Sequence, residues 1–364
     1  MADPTRDSDD RFPGFRKPPP LPPQVAVSYV MPVLNEAGYL RAAVESVLAQ
    51  DYDGEAEVVL ALGTSTDGTD RVAADLAAQD ERIRVVRNPD DVIPAGLNAA
   101  IRASRHPVIV RVDAHAELPP RYTERAVARL RSSGAANVGG VMLARGTSTV
   151  QRAIARAYNS PFGLGGGVFH HGSQEQPADS VYLGVFRREV LLEVGLYDQT
   201  VWRGEDWEVN SRIRAAGYLV LFVPALQVVY RPRTSLRSLG RQMYATGVWR
   251  GHLTRRQHGG PLRYFPPPVV TLVVGTSAVC ALLRAGGVLR GRAARIASVA
   301  HLGTAGYAIG VSAVGVTALG GRTVVDRVTN VPVLAVMHLS WGWGFCRGFV
   351  GGASGAWDRS RVTR

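Results

Sequence analysis

The chain is nearly devoid of lysine and cysteine. Lys17 is the single lysine, so arginine supplies almost all of the 42 basic side chains behind the formal net charge of +12. The two cysteines, Cys280 and Cys346, both lie in apolar segments. So few cysteines exclude a disulfide framework or a cysteine metal cluster, and they favour a reducing compartment.

The chain also lacks the patterns of a nucleic-acid-binding or secreted protein. So basic a protein needs an anionic partner, which can be nucleic acid, anionic lipid or a phosphorylated substrate. No helix-turn-helix, zinc-finger or RNA-recognition pattern is present, so we expect no nucleic acid. No signal-peptide pattern opens the chain, and residues 1–24, charged and then proline-rich, are predicted to be a disordered tail.

From residue 25 the chain alternates between strand-like and helix-like segments. Buried-type strands are predicted at residues 25–31, 57–62, 83–86 and 108–112, each followed by apolar residues at helical spacing. Repeated β-α units with short connections indicate a parallel sheet covered on both faces. Right-handed crossovers would gather the loops after these strands at one edge, where open sheets bind ligands.

The fourth predicted strand ends in residues with metal-binding chemistry. Arg111 interrupts its β-branched run, and Asp113, His115 and Glu117 follow. An Asp and a His two apart on an extended chain point the same way, so both can reach one divalent ion or a diphosphate. Taken alone, the triplet also fits an ordinary turn at a strand end.

Four motifs in order resemble those of the family 2 glycosyltransferases. They are VSYVMPVLNE at 27–36, STDGT at 65–69, DAH at 113–115 and GEDWE at 204–208. The segments GGGVFH (165–170), YLGVFRREV (182–190) and YRPR (230–233) are similar to the succinoglycan-type bacterial membrane members. Over residues 25–268 the resemblance implies an α/β, GT-A-type nucleotide-sugar-binding domain with a mostly parallel central sheet. It also implies an inverting, nucleotide-sugar-dependent transferase.

On the donor side, the resemblance implies a divalent metal, Mg²⁺ or Mn²⁺, that Asp113 holds against the diphosphate. His115 stands where the family usually has a second carboxylate, and an imidazole can ligate Mn²⁺ or hydrogen-bond a phosphate. The remaining predicted donor-binding residues are Pro32, Asn35, Glu36, Asp67, Arg87 and Asn98.

Several of these donor-side residues have alternative roles. Asn35 can cap the helix that follows, Asp67 can order its own glycine-rich turn, and Arg87 and Asn98 can be surface or capping residues. Most relatives carry an Asp where this chain has Leu62, so the nucleotide stays open.

The predicted catalytic residues lie at a helix start. An inverting transfer needs one carboxylate to accept the proton of the acceptor hydroxyl, and the positive end of a helix keeps such an acid ionised. The resemblance assigns this general base to Asp206, with Glu205 as an acceptor contact or helix cap. Residues predicted on the acceptor side are Asp179, Tyr182 and Trp207.

Three apolar segments follow, at residues 269–283, 296–319 and 331–350. The second and third are long enough to span a bilayer, whereas the first is marginal. Arginines flank the first segment on both sides, which favours a re-entrant or interfacial position for it, with the other two crossing. The predicted domains are therefore a transferase domain at 25–264, a membrane-associated helical region at 265–351 and a basic tail at 352–364.

These observations predict a membrane-anchored transferase of the inner (cytoplasmic) membrane, with its catalytic domain in the cytoplasm. It would move a sugar from a nucleotide-sugar donor to a lipid-linked or polysaccharide-precursor acceptor, in contact with membrane lipids. Two alternatives stay open. One is a polyprenyl-phosphate sugar synthase, and the other, which Leu62 favours, is a non-catalytic sugar-nucleotide-binding module of a glycan assembly complex.

Overall fold

The computed structural model describes residues 11–164, 167–257 and 259–353; residues 1–10 of the predicted tail and 354–364 of the basic tail lie outside these. The strands are β1 Val27–Val33, β2 Ala56–Leu62, β3 Ile83–Arg87, β4 Val108–Arg111, β5 Asn137–Ala144, β6 Gln176–Pro177, β7 Tyr182–Arg187 and β8 Val220–Tyr230. The helices are α1 Leu40–Leu48, α2 Thr69–Gln79, α3 Ile93–Ala103, α4 Tyr122–Ser133, α5 Thr149–Tyr158, α6 Pro161–Leu164, α7 Val168–His171, α8 Arg188–Glu193, α9 Glu205–Ala215, α10 Leu236–Arg256, α11 Pro266–Ala285, α12 Gly291–Ala313 and α13 Val324–Gly351. A 3₁₀ turn at Leu262–Tyr264 precedes α11, and a π-helical segment at Val314–Ala318 follows α12.

The described strands form one sheet in the order β3-β2-β1-β4-β7-β5-β8-β6. The four strands predicted from the sequence are confirmed with small shifts at their ends, and β1 pairs in parallel with β2 and β4, as β2 does with β3. Beyond β4 the sheet becomes mixed, because β7 runs antiparallel to both β4 and β5. The carboxyl ends of β1, β2, β3 and β4 therefore lie along one edge.

Both faces of the sheet are covered, as the alternation of apolar residues in β1 shows. Tyr29 and Met31 point into a core shared with Leu40 of α1, whereas Val30 points into a second core with Leu97 of α3. Because successive residues of a strand face opposite sides, a strand with apolar residues on both faces needs helices on both faces.

The chain divides into two compact units. Unit 1 contains residues 1–143 and 167–230, and unit 2 contains residues 144–166 and 231–364. This grouping differs from the domain boundary predicted at residue 264. Helix α10 groups with the C-terminal helices, and so does α5, which lies between two strands of the sheet in the sequence.

The described part of the proline-rich N-terminal segment is fixed on unit 1. The Arg16 N–H donates to the Gly217 carbonyl at 2.9 Å, and the Arg16 guanidinium lies 4.5 Å from the centre of the Tyr218 ring. Arg187 donates to the Pro19 carbonyl at 2.7 Å. Residues 11–24 thus differ from the disordered tail predicted from composition, because their backbone finds partners on the sheet domain.

Within unit 2, α10 and α13 pack with their backbones in direct contact. Gly247 and Gly251 of α10 face Gly344 and Gly348 of α13, and a Cβ on any of the four would meet the other helix's backbone. Small residues four apart allow this close approach, as in the GxxxG pattern.

Among the described residues, two helical windows are long and apolar enough to cross a membrane, Leu262–Ala285 and Ala297–Ala318. The third predicted segment, residues 331–350, lies in α13 and is not one of them. Its glycine, tryptophan and arginine content and its packing against α10 distinguish it from the other two.

Candidate functional site

The candidate site lies in unit 1 at the carboxyl ends of the parallel strands. β4 ends at Arg111, and Asp113 follows in a turn closed by the bond from the Ala116 N–H to the Asp113 carbonyl at 2.8 Å. α9 begins at Glu205 after Gly204, whose φ of 82° is a left-handed conformation that glycine adopts without strain. Glu205 and Asp206 therefore occupy the first turn of α9, at the positive end of the helix dipole.

Arg111 joins these two elements. Its Nη2 donates to Glu205 Oε1 at 3.1 Å and to Asp113 Oδ1 at 3.3 Å, and its Nη1 donates to Asp206 Oδ1. The Arg111 and Glu205 side chains are only 4% and 5% exposed, whereas Asp113 and Asp206 keep about a quarter of their side-chain surface in solvent. We call these four residues the carboxylate–arginine cluster.

The electrostatics of the cluster are those of excess negative charge around one cation. Burial raises the pKa of Asp206 to about 6; Arg111 opposes this rise, and the charges of Glu205 and Asp113 add to it. Burial lowers the pKa of the Arg111 guanidinium, but the three carboxylates outweigh it and raise that pKa well above its ordinary value. Arg111 thus stays charged, and Asp206 titrates close to neutral pH.

Tyr197 lies beside Asp206, with its hydroxyl 3.5 Å from Asp206 Oδ1. Burial and the Asp206 charge raise the pKa of Tyr197 well above its ordinary value, so the phenol stays protonated. The backbone of Tyr197 is held by Asn98, whose amide donates to the Tyr197 carbonyl at 2.8 Å and accepts from its N–H at 2.9 Å. The structure therefore places Asn98, predicted on the donor side, in a buried positioning role.

A second group of predicted residues lies where β1 ends. Glu36 Oε1 is 2.9 Å from His115 Nδ1, which links the end of β1 to the turn after β4. The side chain of Asn35 accepts from the Thr66 N–H at 2.8 Å, so it fixes the loop after β2. α1 begins only at Leu40, so Asn35 does not cap it.

Asp67 orders its own turn and the neighbouring loop. Its carboxylate accepts from the Thr69 hydroxyl at 2.5 Å and from the Ala37 N–H at 3.1 Å. Burial raises the pKa of Asp67, but these hydrogen bonds outweigh it and leave the pKa lowered. Pro32 lies near the end of β1, and Arg87 ends β3 with an exposed side chain.

The residues predicted on the acceptor side are distributed along one half of the sheet. Tyr182 begins β7, and burial together with the Asp113 charge raises its pKa well above its ordinary value. Asp179 Oδ1 lies 3.8 Å from Arg214 Nη1, and Trp207 is buried on α9. Tyr182 thus lies within reach of the Asp113 charge, and Trp207 directly follows Asp206 in the first turn of α9.

Within the described ranges, no three His, Cys, Asp or Glu side chains are grouped to hold an ion. Arg111 lies among the three carboxylates and satisfies part of their charge. Asp113 and His115 lie at the rim of the site, with side chains 23% and 33% exposed.

Arg111 and Tyr197 were not predicted as site residues. A single arginine inside a β-branched run was the available signal for Arg111, since a charge at the end of a buried strand needs a partner. Tyr197 offered no comparable signal, because it reaches Asp206 only through the loop between α8 and α9.

The chain is similar to known proteins over most of its length. Residues 28–195 match the model of glycosyl transferase family 2. The chain is 32% identical over 322 residues to "Succinoglycan biosynthesis protein ExoA" of Rhizobium meliloti (strain 1021), which covers 87% of this chain and 93% of that protein. A second relative is a dolichyl N-acetyl-alpha-D-glucosaminyl phosphate 3-beta-D-2,3-diacetamido-2,3-dideoxy-beta-D-glucuronosyltransferase of Methanococcus voltae. The two sequences are 23% identical over 250 residues, which are 66% of this chain and 77% of that protein. A solved structure, mannosyltransferase PcManGT from Pyrobaculum calidifontis in complex with GDP-Man and Mn²⁺, aligns with a TM-score of 0.56 at 19% identity. It covers 89% of this chain and 90% of that chain, and the likeness is one of fold.

Proposed function

This chain belongs to glycosyl transferase family 2 and has the GT-A fold, and from that premise we propose an inverting transfer of a sugar from a nucleotide-sugar donor. The observation that carries the proposal is the carboxylate–arginine cluster. It combines an ionisable acid at a helix start with a second acid at the end of the central strand. Because ligands bind beyond the carboxyl ends of such strands, both acids face the expected position of the substrate.

Asp206 is proposed as the general base. Its carboxylate accepts the proton of the acceptor hydroxyl while that oxygen attacks the anomeric carbon. The bond from this carbon to the diphosphate oxygen breaks on the opposite side, which inverts the configuration, and the nucleoside diphosphate leaves with the bonding electrons. A pKa of about 6 suits a base near neutral pH. Arg111 and Tyr197 orient the carboxylate, and Glu205 is proposed to contact the acceptor or to tune the charge.

On the donor side, a divalent cation, Mg²⁺ or Mn²⁺, suits the residues at the rim of the site. Hard cations prefer carboxylate and phosphate oxygens, and the excess negative charge of the cluster favours one. Asp113 would hold it, with His115 as a second ligand. When bound, such an ion neutralises charge that develops on the departing diphosphate.

The remaining donor contacts are proposed around the end of β1. Pro32, Asn35 and Glu36 would line the nucleoside, with Asp67 shaping the loop beside them and the exposed guanidinium of Arg87 available to a phosphate. The Leu62 side chain cannot accept a hydrogen bond, so backbone groups would have to recognise the nucleobase of the donor.

The acceptor is proposed to be a lipid-linked glycan or polysaccharide precursor, with Asp179, Tyr182 and Trp207 on its side of the site. Two relatives support this: one is named for succinoglycan biosynthesis, and the other for transfer to a dolichyl phosphate sugar. Two apolar helical windows support attachment to a membrane. We therefore propose that the protein acts in polysaccharide biosynthesis at the inner membrane, with unit 1 in the cytoplasm where nucleotide sugars are made.

The test uses full-length protein in membranes, Mn²⁺ and a panel of nucleotide sugars, with Asp206→Asn as the key variant. Transfer should fall by at least about a hundredfold, the usual scale for a positioned base, while donor binding is retained. Asp198→Asn is the matched control, because it makes the same change at a carboxylate that accepts hydrogen bonds from Thr200 in the loop before α9. Near-normal transfer by Asp206→Asn would refute the assignment. Failure of the wild-type chain to consume any donor would favour a binding module.

A further inference from the structure

Helices α11 and α12 form an antiparallel hairpin whose apolar surface is largely uncovered. Only 17% and 11% of the two apolar windows are buried. The helices contact each other where Gly303 faces Val273 and where Ser277 Oγ lies 2.7 Å from His301 Nδ1. Contiguous apolar surface of this extent marks a protein or membrane contact.

The dimensions and polar groups of the hairpin match a bilayer. Helices of 20 and 23 residues are about 30 and 35 Å long, close to the thickness of the hydrocarbon core. Residues 266–318 contain no Asp, Glu or Lys. The polar Ser277 and His301 side chains satisfy each other inside the hairpin, as polar groups within a membrane do.

Charge is concentrated at both ends of the hairpin. The turn between the helices is flanked by four exposed arginines, Arg284, Arg290, Arg292 and Arg295. The opposite end, which we call the base, is flanked by Arg255, Arg256, Arg263, Arg322 and Arg327. An apolar middle with cationic ends fits a bilayer bounded by phosphate headgroups on both sides, and a water-soluble partner would not require both ends to be basic.

At the base of the hairpin, both α11 and α12 are connected to α13 by side-chain contacts. On the α11 side, the Phe265 ring packs on the Phe345 ring with centroids 5.9 Å apart. On the α12 side, the buried amide of Asn330 donates to the carbonyls of Gly315 and Gly320 at 2.8 and 2.9 Å.

The base is also tied to α5. Arg156 Nε donates to Asn330 Oδ1 at 2.9 Å, and its Nη2 donates to the carbonyl of Asp326 at 2.8 Å. α5 begins after residues 145–148, which follow the last residue of β5. Four extended residues reach at most about 14 Å, and the eight helical residues up to Arg156 add about 12 Å. The connection from β5 to the contact with the base is therefore shorter than a bilayer's hydrocarbon core, which is about 30 Å thick. The chain therefore has no room to cross a membrane between the sheet and the base.

We propose that α11 and α12 form a transmembrane hairpin, with its base on the side of the catalytic unit and its arginine-rich turn on the far side. α13 then stays on the near side, packed on α10. This reverses the sequence expectation, in which the first apolar segment did not cross and residues 319–323 lay outside. The near side still carries the larger share of the flanking arginines, in agreement with the positive-inside tendency. The proposal rests on the membrane attachment proposed above and not on the assignment of Asp206.

Single-cysteine labelling decides the topology. In a Cys280→Ser, Cys346→Ser background, we compare Val288→Cys in the turn with Val324→Cys at the base. The two are a matched pair, because both valines are exposed, at 71% and 76%. The reagent is a membrane-impermeant maleimide, applied to right-side-out spheroplasts, to inverted vesicles and to detergent-solubilised protein. Transferase activity in each variant reports separately on the catalytic proposal.

We expect Val288→Cys to be labelled in spheroplasts and Val324→Cys only in inverted vesicles or detergent. Three outcomes would overturn the hairpin. The reverse pattern would restore the sequence topology. Protection of both positions in spheroplasts, with labelling of both in inverted vesicles, would mean a re-entrant or peripheral hairpin. Recovery of the protein in the soluble fraction would mean that a protein covers the apolar surface.

Discussion

Replacing Arg111 with methionine tests the carboxylate–arginine cluster most directly. Methionine keeps an unbranched chain of similar length, so the main change is loss of the guanidinium that contacts Asp113, Glu205 and Asp206. Because Arg111 and Glu205 are almost fully buried, the Glu205 carboxylate loses its partner without gaining water. Removing one partner of a buried ion pair typically costs about 3–5 kcal/mol of unfolding free energy. For a domain of this size, that lowers Tm by about 6–20 °C.

The loss of stability in Arg111→Met should increase as pH rises. Arg111 lowers the pKa of Asp206, which is nevertheless raised from 3.8 to about 6, so the substitution raises it further. An acid whose pKa is higher in the folded state than in the unfolded state destabilises the fold progressively as pH rises between the two values. Wild type already bears this loss between pH 3.8 and about 6, so the additional Tm deficit of Arg111→Met should grow above pH 6 and be larger at pH 8 than at pH 5.

Thermal unfolding of the full-length protein in detergent, followed by near-UV circular dichroism at several pH values, measures this. Arg82→Met is the matched control. Arg82 bonds Asp80 at 2.6 Å, but its side chain is 46% exposed, so removing it should cost no more than about 1 kcal/mol. The reasoning fails if Arg111→Met is as mild as Arg82→Met, or if its Tm deficit is the same at pH 5 and pH 8.

Three further outcomes are expected. On the acid side, the pH profile of kcat/KM should fall with an apparent pKa near 6. Glu205→Gln should move this fall to lower pH, because the Glu205 charge raises the pKa of Asp206. An unchanged profile in that variant would exclude Asp206 as the titrating base. Asp113→Ala should abolish the Mn²⁺-dependent part of donor binding measured by calorimetry, and unchanged affinity in Mn²⁺ and in chelator would contradict it. Gly247→Val should lower Tm, because overpacking between α10 and α13 typically costs about 1–3 kcal/mol of unfolding free energy. Gly275→Ala should leave Tm unchanged, because the space around its Cβ is open. Equal Tm values for the two variants would refute the close packing of α10 on α13.

The parts of the fold that depend on local pattern were predictable from the sequence. Mostly apolar runs such as 57–62 predicted buried strands, and their alternation with segments of helical spacing predicted parallel pairing. The order of strands beyond β4 was not predictable, because antiparallel pairing of β7 with β4 joins residues far apart in sequence. The segment 331–350 was interpreted by length alone, since nothing local indicated that its glycines contact α10.

The site was predictable to the extent that its residues lie in motifs. Asp113 and Asp206 were placed by resemblance, and the structure brings both to Arg111, 2 and 95 residues away in sequence. The role of Arg111 could not be predicted, because its partners depend on how α9 meets the end of β4. The same reason applies to Asn98, whose partner Tyr197 is 99 residues away.

The inserted helix α5 limits how this protein can be divided. Cloning, truncation and recombination act on contiguous stretches of chain, whereas unit 2 is assembled from two separate ones. A fragment that ends at residue 264 retains α5 and α10 but removes α13, on which both pack, so their apolar faces would promote aggregation. A soluble catalytic fragment requires two changes: an end near residue 230 and a short connector in place of residues 144–166. If recombination at a single point exchanged only the C-terminal helices, α5 would have to pack against an α13 from another protein. Substitutions in α13 therefore have to remain compatible with α5, which lies in a separate stretch of the sequence.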